Sequence, residues 1–172
     1  MNSSFILPVA YSHFAIFNID NQQPFTEWSS QHVAQGFTWR SDSVCFATLG
    51  DGRIQVEVQQ SNDFSLAVGT IRAIRVPFSV SDAALVDIES PISDDTNLIP
   101  VSTGSYALFY ETGYLTNQEV DNKEEGEDRE YYERTMWCRL TFIPNDSVQA
   151  EILVADEDLS PTYPLLMTAQ PA

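Results

Sequence analysis

One stretch of this chain, Thr26 to Arg40, carries the signals of a helix, and its brevity restricts the fold to one built from strands. Ser29 is placed to cap it by accepting a hydrogen bond from the backbone N–H of His32, and Trp28 just before the cap is placed to pack on Val33 as a hydrophobic staple. Gly36 is placed to end it. About two turns of helix are unstable alone in water. Trp28, Val33 and Phe37 are therefore expected to dock this element on a sheet, as a plug at one end of a β-core.

The rest of the sequence is punctuated into short strand-like runs. Val9 to Phe17 is apolar on both faces, with Tyr11, Ala15 and Phe17 on one and Phe14 and Ile16 on the other, so it is expected to be central or covered. Ser43 to Leu49 reads the same way. Gly50-Asp51-Gly52 then turns the chain into Ile54, Val56 and Val58, which alternate with Gln55, Glu57 and Gln59; this predicts a hairpin whose second strand wets one face. Thr70 to Val80 is a further strand in which Pro77, lacking an N–H, requires an edge position or a bulge. A shorter strand covers Ala84 to Glu89, and Pro91 to Pro100 reads as loop. Ser105 to Glu111, Tyr132 to Phe142 and Val148 to Val154 predict a three-stranded meander. The expected fold is an all-β, β-sandwich domain of about eight mostly antiparallel strands with one short helix, a partly open barrel being the alternative. At 172 residues the chain is expected to form one domain, 1–172, with an acidic hairpin excursion at 117–133 and a proline-containing tail at 159–172.

Charge excludes more than it identifies. With 25 acidic and 8 basic residues the net charge is −17. Such a surface repels nucleic acid and anionic membranes and attracts basic partners. Residues 111–158 hold 14 of the acids against four bases, Lys123, Arg129, Arg134 and Arg139. Met1 to Pro8 has no positive charge and its apolar run is broken at Pro8, so it fails as a secretory signal, and the expected location is the cytoplasm. Cys45 and Cys138 lie in apolar runs without a Cys or His partner at metal spacing and read as core thiols, a strand-to-strand disulfide being the alternative. His13 and His32 have no acid or nucleophile at useful local spacing and read as hydrogen-bonded structural histidines.

Catalytic signals are missing. Closely spaced glycines before a helix, a nucleophile elbow and a zinc-protease motif are all absent, so no cofactor, no metal and no enzymatic activity is expected. A calcium loop starting at Asp121 fails because Lys123 takes its third position, where an oxygen ligand is required. What remains is protein–protein binding. Glu119, Asp121, Glu124, Glu125, Glu127, Asp128 and Glu130 supply carboxylates where phosphates would sit on a polyanion, and Tyr131, Tyr132 and Trp137 supply contacts that lose water on binding. A second reading is a β-sandwich module that stacks carbohydrate on Trp39, Trp137, Tyr131 and Tyr132.

Ordered landmarks also carry a resemblance. Tyr11-Ser12-His13-Phe14, Glu27-Trp28-Ser29 running through Gly36-Phe37, Val44-Cys45-Phe46, Val76-Pro77-Phe78-Ser79-Val80, Ile88-Glu89-Ser90 and Gly104-Ser105-Tyr106-Ala107-Leu108 resemble the ComJ (Nin) family over roughly residues 9–110. That family comprises bacterial competence proteins that inhibit a nuclease of DNA uptake. The resemblance implies a stoichiometric inhibitor, or an immunity protein against another DNase, whose partner is a bacterial nuclease. It assigns no inhibitory residue.

Overall fold

Why so many strands of this chain are apolar on both faces is answered by its layering. The computed structural model describes residues 2–115 and 135–172. Its elements follow in the order β1 (Asn2–Val9), β2 (His13–Asn18), α1 (Ser30–Gln35), β3 (Phe37–Arg40), β4 (Ser43–Ala47), β5 (Gly52–Gln60), β6 (Arg72–Val80), β7 (Leu85–Glu89), β8 (Leu98–Pro100), β9 (Gly104–Tyr114), β10 (Met136–Pro144) and β11 (Glu151–Val154). They form a six-stranded sheet, β1-β5-β10-β9-β6-β11, and a five-stranded sheet, β3-β4-β2-β7-β8. Among the described residues the fold is an all-β sandwich with one short helix and no closed barrel.

The core lies between the sheets. Leu7, Val56, Leu140, Tyr110 and Ile74 of the first face Phe14, Ile16, Val44, Phe46 and Ile88 of the second. Each such side chain stabilises the fold by roughly 1.5–3 kcal/mol on burial. Phe46 stacks on Tyr110 with centroids 4.6 Å apart, and the buried Tyr110 hydroxyl donates to Ala47 O at 3.1 Å. A second, smaller cluster explains the two-faced strands: Ala15, Phe17 and Cys45 point out of the five-stranded sheet and are covered by Phe25 and Trp28. Cys45 and Cys138 are both free and buried, and burial pushes both thiols up.

Four expectations are corrected. The strands number eleven among the described residues because the expected Val9 to Phe17 strand is broken at Tyr11 and Ser12, with φ 61° and 52°, into the end of β1 and β2 in different sheets, and because β3 and β8 add two more to the eight expected. β4 and β5 are no hairpin: they lie in different sheets, and β5 pairs with β1 antiparallel and with β10 in parallel. The meander is broken as well, since β11 pairs with β6 rather than β10. Pro77, by contrast, meets its requirement. The β11 ladder has ended by Arg75, and Pro77 O, on the side away from β9, accepts Trp39 Nε1–H at 2.7 Å.

The fourth correction concerns the helix. Its caps are as expected: Ser29 Oγ accepts from His32 N–H, His32 Nδ1 accepts Ser29 N–H at 3.1 Å, and Gly36, at φ 83°, donates to His32 O. Val33, however, is 58% exposed and docks nothing. The buried face is Gln35 and His32, which hold the segment after Leu159. Gln35 donates to Leu166 O at 2.9 Å and accepts Leu166 N–H at 2.8 Å; His32 Nε2 bonds Thr168 O at 2.9 Å. His13 Nδ1 bonds Tyr11 O at 2.8 Å, so both histidines are structural.

Register gathers one pole of the sandwich. Val9 pairs with Gly52, Ile54 with Met136, Met136 with Tyr114 and Arg72 with Thr112. The β1–β2 corner, the β4–β5 turn and the ends of β9 and β10 therefore meet there. Among the described residues no helix is long and apolar enough to cross a membrane.

Candidate partner-binding surface

Alternation along β9 and β10 fixes what the six-stranded sheet shows to solvent. Met136, Cys138, Leu140 and Phe142 of β10 enter the core; Trp137, Arg139 and Thr141 lie on the outer face, where Thr141 is itself buried. Register places Glu57, Arg139 and Glu111 side by side on three adjacent strands. Glu111, with 0% exposure, binds Arg139 Nε–H at 2.8 Å, and Arg139 Nη2 also donates to Ser65 O at 2.7 Å.

Parallel strands β5 and β6 are separated by β10 and β9, so their connection crosses the outer face as a strap. Phe64 stacks on Phe109 at 3.9 Å, Ala67 N–H donates to Glu111 Oε1 at 2.7 Å, and Ile71 N–H donates to Thr112 O at 2.9 Å. Gly113 leaves room for the strap at Gly69. A Cβ there would lie 2.5 Å from Gly69 O and 2.8 Å from Trp137 Nε1.

Trp137 forms part of the floor of a groove of about 500 Å³ beside this strap, with Ile6, Gln55, Glu57, Val68 and Tyr114 around it. Ile6, Val68 and Tyr114 are exposed. Trp137 is thus brought to a surface that a partner can reach. Glu119, Asp121, Glu124, Glu125, Glu127, Asp128, Glu130, Tyr131 and Tyr132 lie outside the described residues, as does the expected excursion at 117–133. Leu115 and Thr135, which flank them in sequence, are joined by a Leu115 N–H to Thr135 O bond of 3.2 Å at the pole. Trp39 is half-buried against the core, and its Nε1–H donates to Pro77 O.

The same pole holds a second cavity of about 500 Å³, which sequence reasoning did not find. Arg72, 2% exposed, lies at its base, binding Asp156 through Nε and Nη2 at 2.8 and 2.9 Å and Ala47 O through Nη1 at 2.9 Å. Burial alone would push the Asp156 carboxyl up; the Arg72 guanidinium overrides this and holds it below its ordinary value. Among the described residues no group of three or more His, Cys, Asp or Glu is placed to hold a metal ion.

Two packed sheets with a strapped outer face, on a strongly acidic chain, define an all-β sandwich with a groove at Trp137 and a cavity at one pole. The chain belongs to the Competence protein J (ComJ) family, whose sequence model matches residues 7–143. Among solved structures it is similar to ComJ of Bacillus subtilis, inhibitor of the DNA-degrading activity of NucA, at 17% identity and a TM-score of 0.59, covering 82% of this chain and 96% of that one. It is also similar to the product of crocagin biosynthetic gene J, at 11% identity and a TM-score of 0.52, covering 85% of this chain and 98% of that one. At these identities the likeness establishes the fold. No curated protein matches the chain.

Proposed function

We propose that this chain is a stoichiometric protein inhibitor of a bacterial DNase, acting in the cytoplasm by occupying the enzyme's DNA-binding groove, with no bond made or broken. The observation that carries this reading is its membership of the ComJ family, together with a sandwich like that of the Bacillus subtilis protein that inhibits NucA. Charge supplies the mechanism. A groove that binds DNA is cationic, and a chain of net charge −17 is attracted to it over long range. Three of the five arginines among the described residues, Arg72, Arg75 and Arg139, are tied to Asp156, Glu151 and Glu111, which leaves less positive charge to oppose that attraction. The carboxylates from Glu119 to Glu130 stand in for phosphates, and Trp137 and its groove supply apolar contact area.

Titration into a plasmid-degradation assay tests it, using NucA and any nuclease encoded beside this chain's gene. Activity is expected to fall to a floor at equimolar ratio with at least one of them. Undiminished degradation by all of them at large molar excess would overturn the proposal.

A further inference from the structure

The corner between β1 and β2 carries chain from one sheet to the other through two consecutive non-glycine residues at positive φ, Tyr11 and Ser12. Nothing in the core requires a tyrosine there: Tyr11 is 76% exposed. The corner is clamped from the β4–β5 turn, where Asp51 Oδ1 accepts both Ser12 N–H at 2.7 Å and Ser12 Oγ–H at 2.9 Å. An exposed aromatic ring is thus held in an unfavourable backbone at the mouth of the pole cavity. Across the cavity stand Trp28, with its ring 5.5 Å from that of His13, Leu49, and the helix residue Val33, exposed although it lies on the one helix of the described fold. Two of the landmark segments that carry the family resemblance, Tyr11–Phe14 and Glu27–Ser29, meet here, and the core contacts of the fold absorb neither Tyr11 nor Val33.

Charge around the cavity selects its occupant. Asp158 in its wall and Asp51, bonded to the wall residue Ser12, are exposed acids, while the one arginine in its wall, Arg72, is neutralised by Asp156. An apolar hollow with a tyrosine and a tryptophan in its wall and a negative edge fits an aliphatic or aromatic side chain flanked by lysine or arginine. We infer that the Tyr11–Trp28–Val33 cavity is the anchoring pocket that receives such a side chain from a basic loop of the inhibited nuclease. This rests on the proposed function for its partner. It adds a second contact, on the pole where Leu115 and Thr135 meet.

The test is equilibrium affinity for a nuclease that the wild-type chain inhibits, measured by calorimetry with Tyr11→Asn, Val33→Lys and, as a control, Leu98→Lys on β8 of the five-stranded sheet. Asparagine tolerates left-handed backbone better than tyrosine, so Tyr11→Asn is expected to melt no lower than wild type while binding about tenfold or more weakly. Val33→Lys alters an exposed position, sets a cation against a cationic partner, and is expected to lose affinity to a similar degree. Leu98→Lys changes net charge equally and is expected to stay within about threefold of wild type. Wild-type affinity in both cavity variants overturns the pocket and leaves inhibition standing, and an equal loss in Leu98→Lys overturns it too, by assigning the effect to net charge. Failure of the wild-type chain to bind any nuclease overturns the proposed function and takes this partner with it.

Discussion

Glu89 shows how one residue's neighbours set its chemistry. Val86 and Ile88 of β7 enter the core, so Asp87 and Glu89 share the outer face of the five-stranded sheet. Asp87 is 2% exposed, and its Oδ1 accepts the N–H groups of Ile88 and Asn97, both at 2.8 Å. Burial, then hydrogen bonding with Asp87 and repulsion by its charge, push the Glu89 carboxyl from the ordinary 4.5 up to about 7. The folded chain therefore keeps a proton that the unfolded chain releases near 4.5. The stability this contributes is complete below that value and is lost as pH rises through about 7. Glu89→Gln, which cannot ionise, is expected to remove that part of the decline, so the gap between variant and wild-type melting temperatures should open between pH 5 and 8, as read by calorimetry across that range. Curves that run parallel would mean that Glu89 ionises normally. Its partner Asp87 and the strained Tyr11 share a limitation as sequence signals. A period-two pattern places a residue on a face, but neither the approach of a second carboxyl nor a positive φ costing ~1–3 kcal/mol leaves any mark in it.

Elements were legible where local chemistry decides them, and obscure where distant pairing does. The caps of α1 are written in Ser29 and Gly36, and the faces of β2, β4, β9 and β10 in their alternation. The glycine turn at Gly50-Asp51-Gly52 signals a reversal but not which sheet the next strand joins, so the strand β5 is legible and its pairing is not; its parallel partner β10 lies some 80 residues away in sequence. Within the strap between β5 and β6, Ser61-Asn62-Asp63 reads only as a polar turn, because what fixes the strap sits on other strands. Glu111 is its latch, accepting Ala67 N–H and Arg139 at once. Glu111→Gln keeps the shape and removes the charge, leaving Arg139 without its carboxylate. That change is expected to lower stability by about 2–3 kcal/mol, measured in urea. Hydrogen exchange is expected to speed up first at Ala67 and Ile71, with the β5 and β6 ladders still protected. Uniform exchange across the sheet would show that the strap unfolds only with the whole sandwich. Of the candidate surface, Trp137 was readable from alternation alone. The groove around it was not, because Val68 and Tyr114 reach it only through the strap and the β9–β10 register.

At the scale of the whole molecule the question is whether attraction to a basic enzyme comes from total charge or from where the charge lies. Glu124, Glu125, Glu127 and Asp128 fall within five consecutive positions, so neutralising them with Gln and Asn changes net charge from −17 to −13 within one short segment of sequence. Asp20, Asp63, Asp82 and Asp146 are exposed and sit near the other pole, which the Val80–Gly104 and Pro144–Tyr106 pairs mark. Converting them to Asn gives the same −13 at the end of the sandwich opposite Leu115 and Thr135. Beyond a Debye length of about 8 Å at physiological salt a charge is largely screened. Only carboxylates that enter the enzyme's groove should therefore keep their influence there. Steered association reaches ~10⁸ M⁻¹s⁻¹ at low salt against ~10⁵–10⁶ without steering. The first variant is expected to associate with the nuclease about tenfold or more slowly at low salt and to show a flatter fall of rate with ionic strength. The distal variant should lose part of the low-salt rate and match wild type at 0.15 M, where screening removes its contribution. Stopped-flow association across an ionic-strength series separates the cases. Equal rates in the two variants at every salt concentration would make net charge the agent and remove the acidic segment from the binding surface, whereas a deficit confined to the first variant at 0.15 M would place those four carboxylates inside the enzyme's groove.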